Sequence, residues 1–301
     1  QAANLDVETS ENSIQESIAQ IYIQILYAAE SVKVNENTLQ VSIAQRDRGQ
    51  ELLNAGSIAK SDLAQLEAQV STDRYQLVTA QATLQDYKLQ LKQLLELDGE
   101  NEMNVYLPAL SDENVLLPLP TKKDVYMSAL TLRPEIEASK LSVEASELGI
   151  DIAKAGYLPT ISLSAGIGTN HTSGSDFTFG EQVKNGWNNS IGVSVSVPIF
   201  NNRQTKSAVQ KAKLQRETSL LSLLDEQKTL YKTIEGLWLD ANSAQQRYAA
   251  ANEKLKSTQI SYDLISEQFN LGMKNTVELL TEKNNLLQAQ QEQLQAKYMA
   301  I

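Results

Sequence analysis

The sequence has few of the residues on which most enzymes depend. Among its 301 residues there is no cysteine, one histidine (His171), 13 glycines and 6 prolines. Thiol nucleophiles are therefore absent and histidine general bases nearly so, and the chain has no nucleophile elbow or phosphate-cradling glycine loop. His171 has no other candidate ligands at the spacing of a metal site. We expect neither an enzyme nor a protein with a metal or cofactor.

Basic clusters and long apolar runs are also missing. The formal net charge is −11, and no basic stripe is available to neutralise phosphates, so nucleic acid is not an expected partner. No run of about 18 apolar residues occurs, so no transmembrane helix is expected. Gln1 opens directly onto a polar stretch without a signal peptide. We therefore expect either a cytoplasmic protein or the mature or trimmed form of an exported one.

Long stretches of helical periodicity dominate the rest of the chain. Apolar residues recur there at spacings of three, four and seven, as in coiled coils. Helices are predicted over residues 11–53, 61–97, 203–270 and 276–301, with residues 1–10 frayed, Ser61 as an N-cap and Asp98-Gly99 ending the second helix. At 1.5 Å per residue, the third helix would be roughly 100 Å long. Helices of this length need helical neighbours throughout, which predicts very long antiparallel helical hairpins.

Shorter elements are predicted between the long helices. Three of the six prolines fall between residues 100 and 123, which marks a connecting segment. A short helix is expected over 123–132. Pro134 is expected to open another helix that ends at Ala155, before Gly156.

Residues 157–202 have a different pattern, in which apolar side chains alternate with small polar ones. This alternation predicts two strands, each with one apolar face. The apolar face is expected to contain Ile161, Leu163, Ala165, Ile167, Ile191, Val193, Val195 and Val197. Strands of about nine residues, when tilted, can cross a bilayer. Two interpretations stay open: a lipid-facing hairpin, with Trp187 at the membrane interface, or an amphipathic hairpin on a soluble core.

An internal repeat relates the two ends of the chain. A shift of 216 positions places Gly56 on Gly272 and Asp62 on Glu278 without a gap. Each copy would be a long helix, a glycine-containing turn and an antiparallel return helix. The second copy is preceded by a helix and the strand hairpin, whereas the first follows only about ten residues. If the duplication is real, a helix and a hairpin are expected before Gln1, and the chain would be a piece of a longer protein.

Several stretches resemble the outer-membrane efflux protein (TolC-like) family. These are RPEIEASKLSVEASELGIDIAKAGYLPTISLSAGIG (133–168), VSVPIFNNRQ (195–204) and the turns LLNAGSIAKSDLAQLEAQ and QFNLGMKNTVELLTEKNNLLQAQ. The resemblance covers essentially the whole chain. It implies a homotrimer in the outer membrane of a Gram-negative cell, whose helices form an α-barrel tunnel through the periplasm. Each strand hairpin would contribute to a transmembrane β-barrel in contact with outer-membrane lipid.

The function that the resemblance implies is a passive exit duct of an efflux or secretion system, of the kind involved in multidrug resistance. An inner-membrane pump and a periplasmic adaptor would deliver small molecules to it. The alternative from a different class is a soluble periplasmic adaptor or coiled-coil scaffold without a pore. The expected organisation is a first helical hairpin (1–99), a linker with a short helix (100–133), a helix leading to the strands (134–156), the β-barrel hairpin (157–202) and a second helical hairpin (203–301).

The resemblance also assigns roles to the two turns, which would lie at the periplasmic tip of the tunnel. Candidate pore-constriction residues are Glu278, Thr281 and Asp62, and candidate tip and adaptor contacts are Gly56, Ser57, Ile58, Gly272, Met273 and Lys274. Lys274 would pair with a carboxylate of a neighbouring protomer. Phe269 stands where relatives have a hydrogen-bonding aromatic residue, and it lacks the hydroxyl. Without the resemblance, the same residues would form ordinary helix turns with solvated carboxylates.

Overall fold

The computed structural model describes residues 2–97, 104–108, 115–174 and 176–301. Within these ranges the chain forms seven helices and one two-stranded sheet. The elements are α1 (Ala2–Asn54), α2 (Lys60–Leu94), α3 (Lys122–Leu132), α4 (Pro134–Ala155), β1 (Thr160–Gly168), α5 (Phe179–Asn185), β2 (Asn188–Ser196), α6 (Gln204–Asn270) and α7 (Thr276–Ala300). The predicted mainly α fold with long helices and one β-hairpin is confirmed.

Several predicted boundaries differ from those observed. Helix α1 begins at Ala2 rather than after a frayed segment, because residues 2–10 contain no proline or glycine to interrupt it. Helix α2 is capped at Ala59 and not at Ser61, because the Asp62 carboxylate accepts a hydrogen bond from the Ala59 N–H at 3.0 Å. It ends at Leu94, and the predicted stop at Asp98-Gly99 lies outside the described residues.

A short helix, α5, was not predicted within the loop between the strands. Thr178 precedes it, and the backbone N–H and the hydroxyl of this residue both donate to the Glu181 carboxylate, at 3.0 and 2.8 Å. These two hydrogen bonds lower the pKa of Glu181 below its ordinary value. The spacing of a threonine three residues before a glutamate is a helix-start signal that was available in the sequence.

The chain divides into two compact units. One contains Gln1–Asp6 and Arg133–Lys228, and the other contains Val7–Leu132 and Thr229–Ile301. The first unit holds α4, the β-hairpin and the beginning of α6. The second holds most of α1, together with α2, α3, the rest of α6 and α7.

In the first unit, the antiparallel strands place all their apolar residues on one face. Leu163 is paired with Val193 and Ala165 with Ile191. Directly opposed residues point to the same side of a sheet, so the predicted apolar face is continuous across both strands. It is also open, since Leu163 is 76% and Ile191 is 83% exposed. The prediction that Val197 belongs to the strand is wrong, because β2 ends at Ser196 and Val197 lies just beyond it.

Polar contacts join α4 to the beginning of α6 in the same unit. The Ser146 and Ser219 hydroxyls lie 2.8 Å apart, and the Arg216 guanidinium contacts Glu147 at 2.8 Å. The Thr205 hydroxyl donates to the carbonyl of Gly156 at 3.3 Å, at the other end of the pair. The two helices therefore run antiparallel with matched polar side chains along their contact.

In the second unit, the core is a series of small clusters strung along the helices. One cluster contains Leu52, Leu66, Phe269 and Leu279, each from a different long helix; a second contains Leu26, Leu294 and Tyr298; a third contains Val115, Tyr248 and Ala296. Each helix thus buries only a narrow apolar stripe, as coiled-coil-like packing requires.

Gly49 provides a test of this packing between α1 and α2. A Cβ atom on Gly49 would overlap Leu66 Cδ1, and Leu66 is only 1% exposed. Alanine should add about 0.8–1 kcal/mol of helix propensity, but overpacking costs about 1–3 kcal/mol. We therefore expect Gly49→Ala to lower the free energy of unfolding, measured by urea denaturation.

Gly236, in the middle of α6, provides the matched control. Nothing lies within 4 Å of the Cβ position at Gly236, so Gly236→Ala should raise the free energy of unfolding by about 0.8–1 kcal/mol. Equal changes in the two variants would show that α1 and α2 do not pack closely at Gly49.

Candidate functional site

The two turns that connect the long helices have the same backbone structure. Gly56 has φ +73° and Gly272 has φ +75°, in the left-handed region that favours glycine. In each turn the N–H of the following residue donates to the carbonyl five positions earlier, at 2.8 Å in the first turn and 2.9 Å in the second. Both helices thus end in a Schellman motif, which supports the predicted internal repeat.

Equivalent acidic residues follow the two turns. The Asp62 carboxylate accepts from the Ala59 N–H at 3.0 Å, and the Glu278 carboxylate accepts from the Asn275 N–H at 3.3 Å. In the second turn the Asn275 side chain also accepts from the Glu278 N–H, at 2.9 Å. Both carboxylates therefore cap the start of a helix, where the helix dipole favours negative charge.

The candidate constriction residues on α7 lie close together. Glu278 and Thr281 are three positions apart, so they share a face of the helix, and the Thr281 hydroxyl is bonded to the carbonyl of Val277 at 2.7 Å. Lys274 donates to Glu278 at 2.6 Å. Within a single chain, Lys274 therefore pairs with its own Glu278. Asp62 occupies the corresponding place at the start of α2.

The electrostatics of Glu278 follow from these contacts. The hydrogen bond from Lys274 and, second, that from the Asn275 backbone hold the pKa of Glu278 below its ordinary value of 4.5. Its side chain is 41% exposed. Glu278 is therefore an ionised, solvent-accessible carboxylate at neutral pH.

The residues nearest the two glycines differ in exposure. Ser57 is exposed, Met273 and Leu271 are 71% and 69% exposed, and Ile58 is partly buried against the cluster of Leu52, Leu66, Phe269 and Leu279. Phe269 itself is 2% exposed. The ring of Phe269 thus serves as a core residue that holds four helices together directly behind the turns.

A buried polar network that was not predicted from the sequence lies behind this cluster. Lys283 of α7 donates to Asp73 of α2 and to the Ser42 hydroxyl of α1, and Ser42 also donates to Asp73. The second oxygen of Asp73 accepts from the Gln69 side chain at 2.9 Å. Lys283 is 3% exposed and Asp73 2%. Desolvation lowers the pKa of Lys283, and the Asp73 carboxylate partly opposes that change.

A sequence signal for this network did exist. Asp73 stands three positions after Val70 in the apolar stripe of α2, and Lys283 stands four after Leu279 in the stripe of α7. A charge at such a position is expected to be buried if the stripe is. Once buried, a charge needs a partner, since removal of one member of a buried pair typically costs about 3–5 kcal/mol.

The loop between the strands contains the remaining candidates. Trp187 is 58% exposed, and the ring of His171 packs edge-to-face against Phe179 at 5.3 Å between centroids. The described ranges contain no group of three or more histidine, cysteine or acidic residues that could hold a metal ion. Among the helices that the structure describes, none has the length and apolar character needed to cross a membrane.

Comparisons with known proteins relate this chain to outer membrane efflux proteins. The sequence model of the family described as outer membrane efflux protein matches residues 125–300. The chain is 25% identical over 293 residues to the outer membrane efflux protein BepC of Brucella suis, a match that covers 97% of the chain and 61% of BepC. It is 25% identical over 306 residues to the outer membrane protein TolC of Escherichia coli, covering 97% of the chain and 59% of TolC.

Solved structures show the same fold. CusC, whose structure is described in terms of folding and transmembrane channel formation, matches with a TM-score of 0.81 at 19% identity, over 99% of this chain and 68% of CusC. The outer membrane protein VceC of Vibrio cholerae matches with a TM-score of 0.78 at 17% identity, over 99% of this chain and 69% of VceC. The chain spans about 60% of the length of BepC and TolC.

The pKa of Glu278 provides a test of the second turn. Because the folded-state pKa is lowered, the stabilisation from Glu278 is present at neutral pH and is lost as the pH falls below 4.5 through that lowered value. Lys274→Met removes the largest cause, so the pKa of Glu278 should rise towards 4.5 in an NMR titration of the carboxyl carbons.

Glu292 supplies an internal control in the same spectra. Its pKa is lowered by Lys254, which Lys274→Met leaves in place. The pKa of Glu292 should therefore stay unchanged. A Glu278 pKa that does not move would contradict the ion pair at the second turn.

Proposed function

Because the chain belongs to the outer membrane efflux protein family, we propose that it forms part of the passive exit duct of an efflux or secretion system. The family model matches more than half of the chain, at residues 125–300, which confirms the predicted resemblance. The relatives are outer-membrane channel proteins and not enzymes. The chain is thus an outer-membrane protein whose long helices extend into the periplasm. Small molecules are its proposed cargo.

The main structural support for the proposal is that an acidic residue caps the start of the helix after each of the two turns. Asp62 and Glu278 hold equivalent positions, and Glu278 stays ionised and partly exposed at the beginning of α7. In a homotrimer, three copies of Glu278 and Thr281 around one axis would line a constriction. Clustered carboxylates concentrate negative potential and attract cations, so the proposed duct would favour cations at its tip.

The β-hairpin is the proposed membrane contact. Its apolar residues form one open face and its small polar residues form the other, as in a barrel wall between lipid and a wet lumen. A two-stranded sheet leaves an unpaired edge on each side, and the bilayer does not tolerate such edges. We therefore propose that β1 and β2 pair with further strands in a closed transmembrane barrel, with Trp187 at its outer interface.

The proposed partners are a periplasmic adaptor and, through it, an inner-membrane pump. The adaptor contacts are proposed at Gly56, Ser57, Ile58, Gly272, Met273 and Lys274. Exposed apolar side chains beside the second glycine, Leu271 and Met273, support this proposal because they offer a surface for another protein to cover. The alternative of a soluble adaptor or scaffold receives no support from the relatives, which are channels.

Ion selectivity in planar bilayers tests the acidic constriction. Glu278→Gln removes three carboxylates from the ring of a trimer, so the preference for cations should fall by roughly an order of magnitude at low salt and by less at high salt. Glu292→Gln is the control, since it removes the same charge from an exposed pair further along α7. If the unsubstituted protein does not conduct, Glu278→Gln and Glu292→Gln are each combined with Lys274→Met and compared in that form. Equal selectivity in the two variants would refute the constriction.

Cysteine labelling tests the membrane contact of the hairpin. The chain has no native cysteine, so single substitutions give a clean signal. Leu163→Cys should react with a maleimide dissolved in lipid, and Ser164→Cys, on the opposite face, should react only with a water-soluble one. The contrary result, in which water-soluble reagent labels both positions equally, would favour the scaffold.

A further inference from the structure

The relative register of the two helical hairpins is not fixed by the chain connections. A five-residue turn joins α1 to α2 and another joins α6 to α7, so each hairpin has its own register set by its turn. Between the hairpins, however, the chain runs from the end of α2 at Leu94 to the start of α6 at Gln204. The length of this connection does not by itself fix how one hairpin lies along the other. Its described part contacts both hairpins, since the Tyr106 carbonyl accepts from the Tyr22 hydroxyl of α1 at 2.8 Å and the Val115 carbonyl accepts from the Gln245 side chain of α6 at 3.0 Å. Side-chain contacts must therefore set that register.

Apolar packing alone would accept more than one register. Leucines stand three and four positions before Lys283 on α7, and again three and four positions after it; they are Leu279, Leu280, Leu286 and Leu287. A shift by one helical turn is about 5.4 Å. Such a shift would bring a leucine into the place of Lys283 while other leucines took over the vacated apolar sites. One-turn shifts between packed helices are a known type of conformational change.

The buried polar network accepts only one register. Lys283, Asp73 and Ser42 come from three different helices, and each is 3% exposed or less. A one-turn shift would leave the ammonium group and the carboxylate buried without each other. Burial of an unpaired charge is far more costly than the replacement of one leucine by another.

Other polar contacts between the hairpins are weaker constraints. The Gln45 side chain donates to the Tyr262 hydroxyl at 2.8 Å, and the Arg48 guanidinium donates to the carbonyl of Asn270 at 3.2 Å. The first is a contact between neutral groups, and Arg48 is 43% exposed, so water can replace its bond. The buried ion pair is the contact whose loss is hardest to compensate.

We propose that Ser42, Asp73 and Lys283 form a register lock that fixes the α6–α7 hairpin at one height along the α1–α2 hairpin. Glu278 lies five positions before Lys283 on the same helix, so the lock also fixes the height of the helix start that carries Glu278. The inference goes beyond the proposed function, because it concerns packing within one chain and holds whether or not the chain forms a duct.

Cross-linking between introduced cysteines reads the register directly. The side chains of Gln69 on α2 and Asn284 on α7 approach to 3.5 Å, so a cysteine pair at these positions reports the observed register. Pairing the Gln69 cysteine with one at Thr281 or Gln288 reports a shift of about one turn in either direction. A short bis-maleimide reagent is used, and products are quantified by peptide mass spectrometry.

The variant that tests the lock replaces the ion pair with apolar side chains, Asp73→Leu together with Lys283→Met. Buried ion pairs often tolerate such replacement without loss of stability, so the variant should fold. Circular dichroism and thermal melting verify folding, and Asp73→Asn with Lys283→Met is used in its place if it does not fold. Lys254→Met is the matched control, because it breaks the exposed Lys254–Glu292 pair within the α6–α7 hairpin.

The expected result is a change in cross-linking pattern and not in helix content. The parent and Lys254→Met should give the 69–284 product as the main product, with little of the 69–281 and 69–288 products. The apolar variant should retain its melting temperature and increase the yield of the 69–281 or the 69–288 product at least threefold over the parent. The proposal is overturned if the apolar variant keeps the parent's product yields, or if Lys254→Met shows the same increase. The test does not measure channel activity. Its result can therefore be interpreted even if the proposed function is wrong.

Discussion

The narrow apolar stripe of each long helix is the constraint on which the rest of the structure depends. Helix α6 has 67 residues, and a helix of this length buries only a thin line of side chains against its neighbours. No thick core exists in the described residues of the second unit, where the apolar clusters are small and spaced along the helices. Stability must therefore be distributed along the hairpins. A single close approach, such as that of Gly49 and Leu66, stabilises only the packing around it.

The two turns have the same backbone structure but differ in their side-chain contacts. Both use a glycine in the left-handed region and a carboxylate at the third position of the next helix. Only the second adds Asn275 as an N-cap and Lys274 as a partner for the carboxylate. The first turn is closed by backbone and carboxylate alone. The second turn is thus the more strongly organised of the two, and it precedes the helix that contains Lys283.

Packing behind the turns combines an apolar cluster with a buried charge pair. The cluster around Phe269 brings four helices together through apolar side chains. The network of Ser42, Asp73 and Lys283 supplies the selectivity that leucines lack, because a charge pair has one satisfactory arrangement.

The sequence by itself determined the elements, since each depends on neighbours along the chain. The scarcity of proline and glycine predicts the long helices, Gly56 and Gly272 predict their turns, and the alternation over 161–168 and 191–197 predicts the two strands. Only the tertiary structure decided which buried polar residues pair with one another. The place of Lys283 in the apolar stripe of α7 indicates burial, but it does not identify the partner. The partners of Lys283 are 210 and 241 positions away, and this separation hides the contact from any local pattern. The burial of Phe269 and the pairing of Lys274 with its own Glu278 were likewise decided by packing and side-chain geometry.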